Sequence, residues 1–453
     1  MKFKVKRRMS VWRYLTLGYL ILILAGSFLL MLPFAKQSGE WGTFADYVDG
    51  LFTATSATCV TGLTPVVTGV HWTVFGQVVI LLLIQIGGLG FTTLVSILFM
   101  AIGGKSFGLY ERTAMVQSVG GSKLTGVKKL VKRILIGTLI FEAAGALLLM
   151  IRFVPQYGGI GVWYSVFHSI SAFCNAGFDI VGLQGQSLVD YARDPLVSLV
   201  ICFLIIIGGL GFCVWGDVAD CKGNPRKFSF YTRLALIGTA VLLVVGTALF
   251  MVFEWNNPGY AGFNFGDKLL CSFFNATTAR TAGYFTTDPA TLSNSGTLLM
   301  IILMFIGACS GSTGGGIKVS TFTVILFGMF SVMRGKKDIT IGKRRIDQGT
   351  LSQALAVFVA YLVLTITATL LINAIEPDAV AAFDAVMFET VSAIGTVGLT
   401  MALTPSLGIA SELILIVLMY LGRVGILTFA FALKRAKKSE AAVRRPVDSV
   451  FIG

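Results

Sequence analysis

Long apolar runs alternate along the chain with short polar segments. Eight runs are at least 19 residues long, and they cover 14–32, 74–102, 133–154, 195–216, 232–253, 296–330, 352–375 and 410–433. About 20 apolar residues in an α-helix cross the roughly 30 Å hydrocarbon core of a bilayer. The pattern therefore predicts eight membrane-spanning helices. The first is predicted to be a retained anchor, because no small-residue cleavage pattern follows it.

Within each successive pair of runs lies a segment that is too short to cross a membrane. The last such segment reads F-E-T-V-S-A-I-G-T-V-G-L at 388–399, and its Phe–Ser/Thr–Gly spacing occurs three times earlier. The four sets are Phe52, Ser56 and Gly62; Phe167, Ser171 and Gly177; Phe273, Thr277 and Gly283; and Phe388, Ser392 and Gly398. Their glycines are 115, 106 and 115 residues apart, which indicates four copies of one structural unit.

Each copy is predicted to hold a crossing helix (M1), a pore helix with a loop that returns, and a second crossing helix (M2). Such a loop is tolerated at membrane depth where protein shields it or where it lines a wet cavity. The prediction is an all-α integral membrane protein, with four parallel M1–pore helix–M2 repeats in a pseudo-fourfold ring around a central ion path. The repeats would occupy 14–102, 133–216, 232–330 and 352–433 of a single membrane domain 1–453, with a cytoplasmic tail at 434–453.

Composition and charge agree with a membrane protein and predict its orientation. The chain is 55% hydrophobic and 13% charged, with a mean hydropathy of +0.83, which excludes a soluble globular protein. Of its 36 Lys and Arg residues, 29 lie in five segments, 1–13, 104–133, 217–233, 331–350 and 434–453. The positive-inside rule places these segments, and both termini, in the cytoplasm. All four repeats then share one orientation, which argues against an inverted-repeat transporter with a midplane site.

The residues that enzymes and metal sites need are scarce. The chain has two His and seven Cys residues without a C-x-x-C pair, so a membrane enzyme or a metal site is disfavoured. The stretch G-S-T-G-G-G-I-K at 311–318 is not a phosphate loop, because Ile317 separates the last glycine from Lys318. The net charge of +14 indicates topology and contact with anionic lipid head groups, not nucleic acid, because the basic loops lack an aromatic platform.

The four repeated segments predict a selectivity filter. A pore helix that ends near the membrane centre points the negative end of its dipole at the ion path. Backbone carbonyls after that helix replace the hydration shell of a monovalent cation, whereas a divalent-cation filter is expected to carry an acidic ring. The predicted filter residues, none of them acidic, are Val60, Thr61, Gly62, Asn175, Ala176, Gly177, Thr281, Ala282, Gly283, Thr396, Val397 and Gly398.

Taken together, these residues resemble the membrane subunit of Ktr-type potassium transporters, in the superfamily that also contains Trk and HKT proteins. The resemblance covers the whole chain and includes I-G-G-L-G-F at 86–91 and 207–212, G-S-T-G-G-G-I-K at 311–318 and L-G-R-V-G-I-L-T-F at 421–429. It implies potassium uptake across the cytoplasmic membrane, which the glycine at Gly62 favours. The alternative is a sodium-coupled, or sodium- and potassium-permeable, transporter of the same superfamily.

The resemblance also implies partners for the chain. It predicts a homodimer bound to a cytoplasmic ring of RCK-domain regulatory subunits. The nucleotide that controls such a system is expected on the regulatory subunits, and no cofactor is expected in this chain. The basic segments 104–133 and 331–350 are predicted docking surfaces, or simple topology anchors.

The glycine-rich stretch 307–316 has two interpretations. It lies midway in the 35-residue run 296–330, and each of its five glycines costs a helix about 1 kcal/mol relative to Ala. One interpretation is close helix contact through small residues. The other is a broken helix whose loop crosses the path below the filter, as the gate loop of the Ktr family does. The predicted gate residues are Gly307, Ser310, Gly311, Ser312, Thr313, Gly314, Gly315, Gly316, Lys318 and Arg423.

Four charged residues in apolar surroundings are expected to have specific partners, because buried charges are costly in membranes. Arg423 is expected to bond the carbonyls of 307–316, and Lys318 to lie near the same cavity or to extend to the interface. Arg280 is expected behind the filter, paired with Glu389.

Overall fold

The computed structural model describes residues 10–90, 127–182, 185–336, 338–342, 344–377 and 382–433. The predicted tail 434–453, the last part of the predicted span 74–102 and most of the basic segment 104–133 lie outside the described residues.

Sixteen α-helices, assigned within the described ranges, build four successive repeats. In chain order they are α1 (Val11–Met31), α2 (Phe44–Cys59), α3 (Thr68–His71), α4 (Val74–Leu89), α5 (Val127–Tyr157), α6 (Ile160–Phe173), α7 (Pro195–Leu210), α8 (Phe212–Asp220), α9 (Phe230–Phe253), α10 (Phe265–Thr278), α11 (Asn294–Phe305), α12 (Val319–Met333), α13 (Gln348–Ile375), α14 (Phe383–Gly395), α15 (Ile409–Val424) and α16 (Ile426–Leu433). A two-stranded antiparallel hairpin, β1 (Ile339–Ile341) and β2 (Arg344–Ile346), is the exception to the all-α prediction in this part of the chain.

The M1 helix of each repeat is long and apolar. Helices α1, α5, α9 and α13 contain stretches of 20 to 28 residues that are long enough to cross a membrane. The pore helices α2, α6, α10 and α14 are shorter, and two of them begin with a capping box. In α2, Thr43 Oγ1 accepts from Asp46 N–H at 3.4 Å while Asp46 accepts from Thr43 N–H at 2.6 Å. Asn264 and Asp267 form the same box in α10, so both helices begin at a residue that the local sequence specifies.

Two of the M2 helices are broken at equivalent positions, which the predicted spans 195–216 and 410–433 did not include. Helices α7 and α8 meet at 87°, and α15 and α16 meet at 94°. The bends lie at Gly211 (φ 95°) and Gly425 (φ 87°), and α4 ends at Gly90 (φ 86°). This backbone conformation is open to glycine and strained for other residues. In the third repeat the break is longer, because residues 306–318 separate α11 from α12.

A second glycine, three residues before each bend, lets M2 pack directly on the end of its own pore helix. A Cβ atom at this glycine would collide with a backbone carbonyl oxygen of the pore-helix end. The pairs are Gly87 with Thr58, Gly208 with Phe173, and Gly422 with Ile394. In the G-x-x-G spacing of M2, the first glycine therefore allows contact with the pore helix, and the second allows the left-handed backbone at the helix end.

Carboxylates join M1 to M2 in the third and fourth repeats, a buried one in the third and a half-buried one in the fourth. Glu254, at the end of α9, accepts from Ser293 Oγ at 2.6 Å and from Asn257 Nδ2 at 2.5 Å. Glu376, at the end of α13, accepts from Gly408 N–H at 2.9 Å and from Ser411 Oγ at 2.5 Å. Each carboxylate lies at the N-terminus of the M2 helix of its own repeat, where the helix dipole favours negative charge.

Replacing Glu254 with Ala is expected to destabilise the third repeat. The change removes the acceptor of several hydrogen bonds at a fully buried site, and we expect a loss of about 2 kcal/mol. The measurement is the thermal unfolding midpoint of the purified protein in detergent. The control is Glu40→Ala, which changes an exposed carboxylate and should leave the midpoint unaltered. Equal midpoints for both variants would contradict this role for Glu254.

Candidate functional site

The glycines of the four repeats meet in a closed ring, called here the glycine ring (Gly62, Gly177, Gly283 and Gly398). Their φ angles are 102°, 68°, 87° and 90°, in that order. A Cβ atom on any of them would collide with the carbonyl oxygen of the next segment. These pairs are Gly62 with Ala176, Gly177 with Ala282, Gly283 with Val397, and Gly398 with Thr61. The cyclic order of the pairs closes the ring, and glycine is required at all four corners.

The residue two positions before each ring glycine is also left-handed. Val60, Asn175, Thr281 and Thr396 have φ angles of 58°, 59°, 67° and 50°. Such angles are uncommon for β-branched residues and persist where the surroundings hold them. Here the pore helix does so, because the N–H of the following residue bonds back to a pore-helix carbonyl at 2.8 to 3.0 Å. The bonds are Thr61 to Ser56, Ala176 to Ser171, Ala282 to Thr278 and Val397 to Ser392.

Hydroxyl groups of the pore helices fix the ring segments from behind. Ser56 Oγ accepts from Gly62 N–H at 2.9 Å, and Ser392 Oγ accepts from Gly398 N–H at 3.1 Å. In the third repeat the hydroxyl behind the ring belongs to Thr278, one residue after the Thr277 of the repeated spacing. Thr278 donates to Tyr284 O, whereas Thr277 donates within its own helix to Phe273 O. The reason is that α10 ends five residues before its ring glycine, whereas α2 and α14 end three residues before theirs.

Two cavities lie on opposite sides of the ring. The vestibule, of about 520 Å³, is lined by all four ring glycines and by Asp179. Asp179 contacts His168 Nε2 at 2.6 Å and accepts from the N–H groups of Val181 and Gly182 at 2.9 and 2.7 Å. Burial raises the pKa of Asp179, but these bonds lower it further than burial raises it. The vestibule therefore carries a carboxylate that stays ionised at neutral pH.

The segment 306–318, called here the crossing loop, lies against the other side of the ring. Gly314 contacts Thr281 Oγ1 and Gly315 contacts Thr396 Oγ1, so closely that neither has room for a Cβ atom. Both threonines lie two positions before a ring glycine. The crossing loop therefore packs directly against the third and fourth segments of the ring.

Backbone hydrogen bonds attach the crossing loop to the break in the second repeat. Cys309 N–H donates to Gly209 O at 3.0 Å, and Thr313 N–H donates to Gly208 O at 3.3 Å. Phe212 N–H donates in turn to Gly311 O at 2.9 Å. The loop is thus held by the carbonyls that the broken helix leaves unpaired.

Two cationic side chains bind the crossing loop from the side away from the ring. Lys318 Nζ donates to Gly314 O at 2.7 Å and to Gly315 O at 3.1 Å. Arg423 donates to Thr313 O, to Gly87 O and, at 3.3 Å, to Gly88 O. Both line a second cavity of about 330 Å³, called here the loop-side cavity. The structure therefore brings together the residues predicted at 307–316 with Lys318 and Arg423.

The expected pair of Arg280 and Glu389 is wrong. The Arg280 guanidinium, 5% exposed, lies beside the Cys309 thiol. Its Nε and Nη2 atoms have no hydrogen-bond partner among the described residues. Glu389 instead accepts from Thr404 Oγ1. Arg280 follows the end of pore helix α10 and Glu389 lies on pore helix α14, and the two side chains point to different surroundings, which their sequence positions do not show.

Sequence reasoning also missed contributors to the site. Tyr231, on the M1 helix of the third repeat, donates to Ser310 O at 2.8 Å. Nothing in the sequence separates this tyrosine from other interfacial ones. The bends at Gly211 and Gly425, in contrast, could have been found from the repeated G-x-x-G spacing.

Relatives of the chain extend along its whole length. Residues 19–444 match the family model described as TrkH, cation transport protein. The Bacillus subtilis Ktr system potassium uptake protein B is 43% identical over 441 residues, which are 97% of this chain and 96% of that protein. The Enterococcus hirae potassium/sodium uptake protein NtpJ is 40% identical over 456 residues, 100% of this chain and 99% of that protein.

The fold is also present among solved structures. The crystal structure of the potassium transporter TrkH from Vibrio parahaemolyticus matches 96% of this chain with a TM-score of 0.72, at 20% sequence identity and over 87% of that chain. The predicted fold class, a helical membrane protein of pore-loop repeats, is confirmed. Because the family model and the relatives span nearly all of it, the chain belongs to the TrkH/Ktr family of cation transport proteins, whose members are multi-pass membrane transporters and not enzymes.

Proposed function

We propose that the chain is the ion-translocating subunit of a Ktr-type potassium uptake system, and that the glycine ring is its selectivity filter. The observation that carries this proposal is the cyclic contact of Gly62, Gly177, Gly283 and Gly398, each against the carbonyl of the next segment. A ring of carbonyl oxygens at the negative ends of four pore helices suits a dehydrated monovalent cation. The names of the relatives, a potassium uptake protein and a potassium/sodium uptake protein, support the same ion class.

The vestibule and the loop-side cavity complete an ion path through the ring. Asp179 concentrates cations at the vestibule, since it lines that cavity as a carboxylate. Ions then pass the carbonyls of the ring and meet the crossing loop, which acts as the gate. Arg423 and Lys318 hold that gate closed through its own carbonyls. Opening requires the loop to leave the axis of the ring.

We infer orientation and partners from charge and from the relatives. Both termini and the basic segments are cytoplasmic, so the vestibule faces outward. The name of the Bacillus subtilis relative includes the word system, which supports partner subunits. These would be a second copy of the chain and a cytoplasmic ring of RCK-domain subunits that carry the regulatory nucleotide. The segment 331–350, which contains the hairpin β1–β2, is a candidate docking surface.

A second candidate function is transport of sodium together with potassium. The relative from Enterococcus hirae, whose name includes sodium, is similar along the full chain. The third ring segment also differs from the other three, because α10 ends earlier and Thr278 replaces Thr277 behind it. A less regular ring discriminates ions of different size less strongly. Uptake of ²²Na⁺ by the purified protein in liposomes, with and without potassium, separates the two functions.

Gly398→Asp is expected to abolish potassium uptake. The new side chain would collide with Thr61 O and place a carboxylate in the ring, and we expect a loss of at least about tenfold. The measurement is ⁸⁶Rb⁺ uptake, together with growth at low potassium, in a bacterial strain that lacks its own potassium uptake systems. The control is Gly39→Asp, because Gly39 has a similar backbone (φ 69°) but open surroundings. Full uptake by Gly398→Asp at equal membrane abundance would contradict the filter.

Deletion of Ser310–Gly316 is expected to raise uptake in the absence of any regulatory subunit. The deletion removes the segment that lies across the ring and the carbonyls that bind Lys318 and Arg423. We expect an increase in ⁸⁶Rb⁺ flux of about tenfold. The matched variant lacks Gly158 and Gly159, a turn with open surroundings between α5 and α6, and should keep the flux of the parent protein. Equal flux with and without Ser310–Gly316 would disprove the gate.

A further inference from the structure

Three consecutive carbonyl oxygens of the crossing loop receive hydrogen bonds from cationic side chains. Arg423 donates to Thr313 O, and Lys318 donates to Gly314 O at 2.7 Å and to Gly315 O at 3.1 Å. Carbonyl oxygens are also the ligands that replace water around a permeating monovalent cation. The loop carbonyls that bind Lys318 and Arg423 are thus the type of ligand that a permeating cation requires.

Neither side chain is balanced by a carboxylate in the described part of the chain. Every hydrogen bond that the structure gives to Lys318 and Arg423 ends on a backbone carbonyl. The two cations are also close enough to repel each other. A cation without a counter-ion at membrane depth is stable only where oriented dipoles take the place of water. The local field of the loop therefore already favours positive charge.

The position of these carbonyls is next to the ring along its axis. Gly314 and Gly315 contact Thr281 and Thr396, which each lie two positions before a ring glycine. Lys318 approaches from the loop-side cavity, which it lines. An ion that leaves the ring toward this cavity would next meet the place that the Lys318 ammonium holds.

Lys318 and Arg423 are attached differently. Arg423 bonds both the loop and the end of α4 in the first repeat, through Gly87 O and Gly88 O, so its guanidinium is fixed between two elements. Lys318 bonds carbonyls of the crossing loop, and its ammonium is a compact charge on a flexible four-carbon stem. Of the two, Lys318 is the side chain that can withdraw while the loop carbonyls stay in place.

We propose that the carbonyl oxygens of Thr313, Gly314 and Gly315 form a second monovalent-cation site on the ion path, and that the Lys318 ammonium is its tethered occupant. A potassium ion takes this site when Lys318 withdraws, so one positive charge replaces another and the local charge balance is kept. Lys318 thereby acts as a built-in competitor of the transported ion. This inference rests on the proposed ion path through the glycine ring.

The direct test is the location of thallium ions, which report potassium sites by anomalous scattering, in crystals of the full-length protein. In Lys318→Met, which keeps the side-chain length and loses the charge, we expect thallium both in the glycine ring and at Gly314 O and Gly315 O. The parent protein and Lys318→Arg should show thallium in the ring and none at the loop. Lys318→Gln is a second neutral variant, with the same expectation as Lys318→Met, in case the latter does not fold.

Flux measurements in liposomes without regulatory subunits provide an independent readout. Lys318→Met should raise ⁸⁶Rb⁺ flux about tenfold, and Lys318→Arg, which keeps the positive charge, should raise it less. Tyr231→Phe is the matched control, because it removes the 2.8 Å bond to Ser310 O without changing charge. We expect it to change the flux less than Lys318→Met does.

The outcomes separate this inference from the function on which it rests. Thallium in the ring of the neutral variants without thallium at the loop would overturn the second site and leave the filter standing. Equal increases in flux for Lys318→Met, Lys318→Arg and Tyr231→Phe would also overturn it, since any loosening of the loop would then suffice. Failure of thallium to occupy the ring in every variant would contradict the filter itself.

Discussion

Backbone crowding at the glycine ring is the constraint on which the rest of the structure depends. Four chain segments approach so closely that a Cβ atom on any ring glycine would meet the carbonyl oxygen of its neighbour. Each segment can reach this position only because its pore helix ends three to five residues before the ring glycine. The backbone must then turn through two left-handed residues, such as Thr396 and Gly398. Pore-helix carbonyls and hydroxyls hold that turn, so the helices determine how precisely the ring closes.

The same crowding continues into the M2 helices and explains why they break. Gly87, Gly208 and Gly422 each lie against a carbonyl at the end of a pore helix, and three residues later α4 ends at Gly90 and the chain bends at Gly211 and Gly425. A broken helix leaves backbone groups without partners, and within a membrane these must be satisfied by other protein groups. The crossing loop and Arg423 supply several of them. Helix packing, ring and loop are therefore parts of one hydrogen-bonded system.

The third repeat differs from the other three in its M2 break. Its break has become the crossing loop, which bonds the second repeat through Gly208 and Gly209. Through Arg423 the loop is also bonded to the fourth repeat and placed next to the end of α4 in the first. A shift of any M2 segment changes a bond to the loop or its neighbours. This arrangement suits the gate role proposed for the crossing loop.

The hydropathy pattern and the fourfold spacing of glycines were enough to predict the repeats, the pore helices and the segments of the ring. Glycine spacing carries this information because left-handed backbone and close approach exclude other residues. The M2 bends were equally readable from G-x-x-G, although the apolar runs hide them. Only the tertiary structure decided which groups meet. Thr278, and not Thr277, lies behind the third ring segment, and Thr404, and not Arg280, bonds Glu389. The ammonium group of Lys318 bonds carbonyls of the crossing loop. These partners lie on separate elements or depend on where a helix ends, so packing selects them and local sequence does not.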